Sequence, residues 1–340
     1  MNGIALSLNG LTLYWSGVVI ALGIAAAFCL SYALYTSHGG SSLAMLLYFP
    51  PALFLSVGLS RALHWYCHTE QYPGFVAALT DYRVGGYCIP GVVAGIALAA
   101  VLVGALGLTA NRRRLLDSVA PGWLLLAVMI RLSSLFNSSC RSKIVIRNPL
   151  LQRLPIGSPV ADNAGNTEYR FATFFAEALL LAVLFLAILR FFNTQRRHPM
   201  KADLPRDGHV ALLTLTWYSA VELLMDSTRY DSSFLRFNGF ISVGQMVAAL
   251  CILGVMVVYS IRSVRVNGHQ GRHWVLWICW FLALAATGIS EYLVQRHGSW
   301  YLGCYAVMSA SCFFLAFTTQ RMYLLLRDNT PRRRKRRPTQ

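Results

Sequence analysis

Charged side chains are scarce in this sequence, and acidic ones are the scarcest. Asp, Glu, Lys and Arg make up 13% of the 340 residues, whereas soluble domains carry about a quarter. The chain has 13 acidic residues against 30 lysines and arginines, and 56% of it is hydrophobic. This composition excludes an ordinary soluble domain. It indicates a protein whose surface is largely covered by lipid.

The eight cysteines form no recognisable metal or redox motif. None stands in a C-x-x-C pair, and no Cys or His shows ligand spacing, so we predict no metal site and no cofactor. The N-terminal segment MNGIALSLNG lacks the basic residues that begin a signal peptide, and the apolar run after it is too long for one. That run is therefore interpreted as a span that stays in the protein.

Long apolar runs take the place of these missing features, and they predict an all-α, polytopic helical membrane protein. The pair Pro50-Pro51 should kink or start the second run, and the glycines and proline within residues 85–91 should break the third near its start. We place nine spans at residues 11–35, 44–66, 84–108, 115–136, 171–192, 210–227, 240–261, 274–294 and 301–326.

Basic residues collect in the connections after the third, fifth, seventh and ninth spans. These positions share one side of the membrane, so the positive-inside rule places the N-terminus outside and the C-terminus in the cytoplasm. The loop 137–170 is an exception, because it is also basic and would lie outside. The tail RRRKRR (332–337) fits a cytoplasmic end on anionic lipid, which accounts for its charge without nucleic acid.

One span contains a buried charge. In LDSVAPGWLLLAVMIRLSSLFNSS (116–139), Arg131 lies within the apolar run, at a cost of about 3 kcal/mol or more, which makes it a functional hypothesis. Helical rise and the predicted orientation place five polar side chains in the outer half of the bilayer, which predicts a polar chamber. Plain interhelical ion pairing is the alternative, and it would leave no chemistry. The five are Arg61, Arg131, Glu177, Glu222 and Gln245.

Several segments then follow a family pattern in order. They are YWSGVVIALG (14–23), GLSRAL (58–63), GGYCIPGVVAG (85–95), DSVAPGWLLLAVMIRLSSLFN (117–137), FATFFAEALL (171–180), VELLMD (221–226) and FISVGQMV (240–247). Together they resemble the bacterial prolipoprotein diacylglyceryl transferases over about residues 12–262. The resemblance implies a seven-span transferase-like core (1–262), two additional C-terminal transmembrane helices (263–326) and a basic cytoplasmic tail (327–340).

The resemblance also implies an activity in the bacterial cytoplasmic membrane. This is transfer of a diacylglyceryl group from phosphatidylglycerol to the lipobox cysteine thiol of a prolipoprotein signal peptide. It assigns catalysis to Arg131, Glu177 and Glu222, where the glutamates orient the guanidiniums or one of them serves as the base if burial raises its pKa. It assigns lipid and phosphate binding to Arg61, Asn137, Gln245, Tyr218 and Ser134. Asp117 and Pro121 also match the pattern.

Four positions depart from the pattern, and they leave the activity open. The family's histidine falls at Pro90, its asparagine after the motif arginine at Ser134, its glutamate at Ser139 and an arginine at Tyr218. One alternative is therefore a catalytically impaired relative that binds phospholipid or lipoprotein signal segments. Another is an enzyme that acts on a different lipid. A transporter is disfavoured because no second half of the chain repeats the first.

Overall fold

The computed structural model describes residues 3–8, 11–81, 86–109, 111–137, 140–161, 166–195, 200, 204–235, 238–297 and 300–327. Within these ranges the chain is a helical bundle, which confirms the predicted all-α polytopic class. The long helices are α1 (Trp15–Ser37), α2 (Ser42–Cys67), α4 (Ile89–Ala105), α5 (Arg112–Ser133), α7 (Thr173–Gln195), α8 (His209–Thr228), α9 (Val243–Asn267), α10 (Gly271–His297) and α11 (Tyr301–Leu324). Two short helices are α3 (Phe75–Thr80) and α6 (Pro149–Gln152), and single 3-10 turns cover Thr69–Gln71 and Ser134–Phe136.

Seven of these helices are long and apolar enough to cross a membrane, which makes the protein multi-pass: α1, α2, α5, α7, α9, α10 and α11. The other two predicted spans are also helical. Helix α4 has 17 residues, and at 1.5 Å per residue it reaches about 26 Å, less than the hydrocarbon thickness of about 30 Å. Helix α8 has 20 residues but carries the polar side chains of the site described below.

Three β-hairpins precede helices, and they correct several predicted boundaries. Strands β1 (Ile4–Leu8) and β2 (Leu11–Tyr14) pair antiparallel, so the predicted first span began too early at residue 11. Strands β5 (Phe234–Leu235) and β6 (Asn238–Ser242) do the same before α9, and β3 (Gly157–Ala161) pairs with β4 (Thr167–Phe171) before α7. In each case strand pairing satisfies the backbone groups just before the helix begins.

Helices α2 and α4 pack closely because small residues face one another. A Cβ on Gly91 would lie 2.5 Å from Ser60 Cα, and one on Gly95 would collide with the Ser56 backbone. The two serines donate across the contact, Ser60 Oγ to Cys88 O at 2.9 Å and Ser56 Oγ to Val92 O at 3.1 Å. Such small-residue contacts are typical of membrane helix pairs.

The predicted breaks in these two helices have different outcomes. Pro50 and Pro51 lie inside α2, so they do not start it. Helix α4 begins only at Ile89 and carries Pro90 in its first turn, where the missing N–H costs nothing. Residues 86–88 before it are not helical, whereas Gly85 lies outside the described residues.

Helix α5 lies at the centre and contacts α1, α4, α7 and α8. Its Asp117 fixes the start of α8 by accepting from the backbone N–H groups of Gly208 (2.6 Å) and Ala211 (2.8 Å). We call the end of the bundle where α5 ends and α7 begins the site end. Helices α10 and α11 pack on α8 and α9 through a shared core that includes Tyr259, Trp280 and Leu315.

Candidate active site

Arg131 lies in the last turn of α5 and is 4% exposed. Its Nε lies 2.8 Å from Oε1 of Glu177, and its Nη2 lies 3.2 Å from Oε2 of Glu222. Glu177 is in the first turns of α7 and fully buried, and Glu222 is 4% exposed on α8. The structure therefore brings together the three residues to which the resemblance assigned catalysis, each from a different helix.

A second guanidinium completes this group and was not predicted. Arg229 immediately follows α8, and its Nη2 lies 2.5 Å from Oε2 of Glu177. Its Nη1 lies 3.0 Å from Oε1 of Glu222 and 3.2 Å from Oδ1 of Asp226. Each glutamate thus pairs with both arginines, and Oε1 of Glu222 also lies 3.4 Å from Nη2 of Arg131. We call this closed arrangement of Arg131, Glu177, Glu222 and Arg229 the charged ring.

Sequence reasoning missed Arg229 because the predicted sixth span, residues 210–227, ends two residues before it. A signal for it is present in the helical spacing. Arg229 follows Asp226 by three residues and Glu222 by seven, so all three fall on one face if the helix runs one turn further. Arg229 supplies a cation beside Glu222, whereas Tyr218, where the resemblance places an arginine, is neutral.

Tyr218 still contacts the ring, although through a hydrogen bond. Its hydroxyl donates to Oε2 of Glu222 at 3.1 Å, and its aromatic ring packs edge-on against Trp123 of α5. The side chain is buried, as a tyrosine with a satisfied hydroxyl can be. Tyr218 therefore orients Glu222 through its hydroxyl and adds no charge.

Gln245 lies next to the ring but its amide forms a helix cap. The side chain of Ser242 accepts from Gln245 N at 3.0 Å, and Gln245 Oε1 accepts from Ser242 N at 3.2 Å, which is a capping box at the start of α9. Ser242 Oγ also donates to Asp226, and Gln245 Nε2 contacts Leu223 O at 3.5 Å. The cap thus connects α9 to the ring through Asp226.

The segment after α5 brings a thiol to Arg131. Ser134 is buried in the 3-10 turn, and Asn137 is exposed where that turn ends. Nη1 of Arg131 donates to Sγ of Cys140 at 3.3 Å, and Asp231 accepts from the backbone N–H of Cys140 at 2.9 Å. Ser139, predicted at the family's glutamate position, lies outside the described residues.

Arg61 lies in a second polar cluster, at the end of α2. Its Nε donates to Ala78 O at 2.5 Å and its Nη2 to Asp81 O at 2.6 Å, and its guanidinium lies 5.3 Å from the ring centre of Tyr87. The predicted chamber of five side chains thus has three members in direct ion pairs. Gln245 is connected to them through the capping box with Ser242, which contacts Asp226. Arg61 instead donates to backbone carbonyls of α3 and of the residue that follows it.

His64 belongs to this second cluster and was treated as ordinary by sequence. It follows Arg61 by one turn and is partly buried, and its Nδ1 lies 3.2 Å from the hydroxyl of Tyr72. The imidazole stacks on His68, with ring centres 4.4 Å apart. It also fills the space beside Gly86, where any Cβ would collide with it. Gly86 lies four residues before Pro90, where the resemblance places the family's histidine, so an imidazole packs against this segment.

The fold and these sites define a multi-pass membrane protein with a buried ring of ion pairs at one end of its helices. Comparison with known proteins narrows this class. The family model described as prolipoprotein diacylglyceryl transferase matches residues 3–261, and the chain belongs to that family. The resemblance found in the sequence is therefore confirmed.

Several proteins similar to this chain carry the name phosphatidylglycerol–prolipoprotein diacylglyceryl transferase. The protein of Lactobacillus delbrueckii subsp. bulgaricus (strain ATCC BAA-365 / Lb-18) is 27% identical over 277 residues, which cover 78% of this chain and 93% of the relative. That of Lactococcus lactis subsp. lactis (strain IL1403) is 27% identical over 271 residues, covering 78% and 97%. That of Staphylococcus aureus (strain bovine RF122 / ET3-1) is 24% identical over 271 residues, covering 78% and 91%.

Proposed function

We propose that this chain transfers the diacylglyceryl group of phosphatidylglycerol to the cysteine thiol of a prolipoprotein signal peptide. The observation that carries the proposal is the charged ring, because it holds two guanidiniums side by side within a family of diacylglyceryl transferases. The roles of Arg131, Glu177 and Glu222 follow from it. The site end faces the outer side of the cytoplasmic membrane, and the arginines of the opposite end face the cytoplasm.

The reaction sets two requirements. The thiol sulfur attacks a glyceryl carbon, the bond from that carbon to the phosphate oxygen breaks, and glycerol phosphate leaves. The leaving phosphate needs positive donors, and guanidiniums are well suited because their N–H groups match phosphate oxygens. The thiol must also lose its proton to a base, because the thiolate is the nucleophile.

The ring leaves specific donors for the phosphate. Two of the three guanidinium nitrogens of each arginine form ion pairs with carboxylates, and these contacts fix the plane of the guanidinium. Nη1 of Arg131 instead donates to the sulfur of Cys140, a weak acceptor that a phosphate oxygen would replace readily. Nε of Arg229 is buried and has no hydrogen-bond partner in the part of the chain that the structure describes. These two groups are our candidates for the phosphate contact, with Arg61 serving lipid from the second cluster.

The base that accepts the proton of the substrate thiol is a different residue from those that bind the phosphate. Glu177 and Glu222 each give both oxygens to guanidiniums, so they are suited to orienting Arg131 and Arg229 rather than to taking a proton. Pro90 has no group for this step. We assign the thiol proton to His64, because an imidazole nitrogen can accept a proton and this side chain is partly buried against Gly86 in the segment before Pro90.

The test is a transfer assay on the purified protein with phosphatidylglycerol, a lipobox-cysteine peptide and mass readout. The wild type should add a diacylglyceryl mass to the peptide, and Arg131→Ala should lose that product. The matched control is Arg190→Ala, which removes an exposed arginine from α7 and should transfer normally. Equal activity of Arg131→Ala and wild type would contradict the role of the ring.

Pro90 and Tyr218 favour one alternative, a relative that binds phospholipid or signal segments without turnover. Both positions lack the ionisable group of the family pattern, and these groups serve the chemical step. The same assay separates the two functions. A folded wild type that retains phosphatidylglycerol through purification but never modifies the peptide would overturn the transferase in favour of a binding protein.

A further inference from the structure

Helices α10 and α11 lie beyond the part of the chain that matches the family, which ends at residue 261. They are nevertheless built into the bundle. Trp217 of α8 donates to Gln320 of α11 at 2.9 Å, and His209 of α8 packs against Tyr323 of α11 with ring centres 5.1 Å apart. Helix α11 therefore packs along α8, the helix that carries Glu222 and leads into Arg229.

A short segment covers the charged ring at the site end. We call residues Cys140–Ile146 the cap segment. Its Lys143 N–H donates to Thr228 O at 3.1 Å, and its Arg141 O accepts from Tyr230 N at 2.8 Å. Backbone bonds thus fasten it on both sides of Arg229, while the Cys140 thiol contacts Arg131. The positions of both arginines depend on where this segment lies.

The added helices reach this region through two hydrogen bonds. Tyr305 of α11 donates from its hydroxyl to Ser227 O at 3.3 Å, two residues before Arg229. Nζ of Lys143 donates to Oε1 of Gln295 on α10 at 3.3 Å. Gln295 in turn donates from Nε2 to Oε1 of Glu291 at 2.9 Å. One contact fixes the end of α8 and the other fixes the cap segment.

Charge strengthens the second contact. Glu291 is 4% exposed, and its Oε2 has no hydrogen-bond partner among the described residues. A buried carboxylate calls for a cation, and Lys143 is the cation that its neighbour Gln295 holds. Burial lowers the pKa of Lys143, and the nearby carboxylates of Glu291 and Asp226 oppose that change. The ammonium group of Lys143 is therefore attracted both to Glu291 of α10 and to Asp226 beside the charged ring.

We propose that helices α10 and α11 are a positioning element for the transfer reaction, in which Tyr305 and Gln295 hold the end of α8 and the cap segment in the geometry that aligns Arg229 and Arg131. Neither residue touches the reacting atoms. The inference rests on the proposed function, and it gives the two additional spans a role in that function.

The test compares Tyr305→Phe, Gln295→Ala and the double variant with a matched control, Gln320→Ala. The control also removes a hydrogen bond between α8 and the added pair, but at Trp217, ten residues away from Ser227. We expect the double variant to lower kcat about tenfold, because small misplacements of a positioned group are costly, and to leave KM for the peptide nearly unchanged. Gln320→Ala should keep kcat within about twofold at a similar loss of thermal stability. Equal kcat in the double and control variants would overturn the proposal.

Hydrogen exchange provides a readout that does not need turnover. In the double variant, amides of residues 140–146 and 228–230 should exchange faster than in wild type, and Gln320→Ala should leave them unchanged. Lys143→Arg keeps a donor toward Gln295 and should retain protection, whereas Lys143→Met should lose it. If the exchange pattern appears but the wild type shows no transfer activity, the proposed function fails and the positioning contact stands. If wild type transfers and no exchange difference appears, the positioning role fails alone.

Discussion

Removing Arg229 should be the most disruptive single change to the charged ring. The guanidinium contacts three carboxylates, those of Glu177, Glu222 and Asp226, at 2.5, 3.0 and 3.2 Å. In Arg229→Met the side chain keeps most of its apolar volume but loses every one of these contacts. Arg131 then remains as the ring's single guanidinium, paired with Glu177 and Glu222, while Asp226 loses its ion-pair partner.

The size of the effect follows from the burial of the partners. Glu177 is fully buried, and Glu222 and Asp226 are 4% and 6% exposed, so water cannot replace the lost cation. Breaking a buried ion pair by removing one partner costs about 3–5 kcal/mol. Glu177→Gln in the same chain should recover part of this, about 1–3 kcal/mol, because it removes one of the uncompensated charges.

The assay is thermal or denaturant unfolding in one detergent for wild type, both single variants and the double variant. Arg229→Lys is the matched control, because it keeps the charge and loses the planar fork, and it should fall between wild type and Arg229→Met. Transfer activity is measured on the same preparations. The reasoning is refuted if Arg229→Met unfolds within about 1 kcal/mol of wild type, or if the effects of Arg229→Met and Glu177→Gln simply add.

Two further predictions concern His64 in the second cluster and Tyr218 beside the charged ring. His64→Gln should lower kcat about 100-fold and remove the acidic limb of the pH–rate profile, while the exposed His269→Gln leaves both unchanged; a retained acidic limb would exclude His64 as the base. Tyr218→Phe removes the hydroxyl that donates to Glu222 and should destabilise the protein by about 1 kcal/mol in the same unfolding assay. A loss as large as that of Arg229→Met would contradict its secondary role.

Much of the fold could be predicted from the length of the apolar runs. An apolar segment of spanning length satisfies its own backbone hydrogen bonds in lipid by forming a helix. The hairpins were missed for the same reason. Residues 11–14 and 240–242 are apolar enough to be counted with the spans they precede, yet they pair as strands. The dipeptide Asn9-Gly10 between β1 and β2 is typical of hairpins, and this local signal is invisible to a count of hydrophobic residues.

The site was predicted from the depth of each polar residue along its helix. Depth alone does not decide which side chains meet. It selected Arg131, Glu177 and Glu222, which the structure brings into direct ion pairs, but it gives no information on rotation around each helix axis. Arg61 satisfied the same depth criterion and lies in another cluster. Arg229 was not predicted because it lies just beyond the end of α8, where a charged residue is usually expected to be exposed to water. Its side chain instead points back into the bundle and is buried.

The charged ring also constrains how the chain is made. Arg131 is synthesised first, and its partners Glu177, Glu222 and Arg229 all come later along the polypeptide. When α5 leaves the insertion machinery, its arginine therefore has no carboxylate partner, and an unpaired arginine at mid-membrane costs about 3 kcal/mol. Arg131 lies two residues from the end of α5, so its long side chain can reach the headgroup region while it waits. The ring closes only after α7 and α8 have arrived, which makes its assembly a late step in biogenesis.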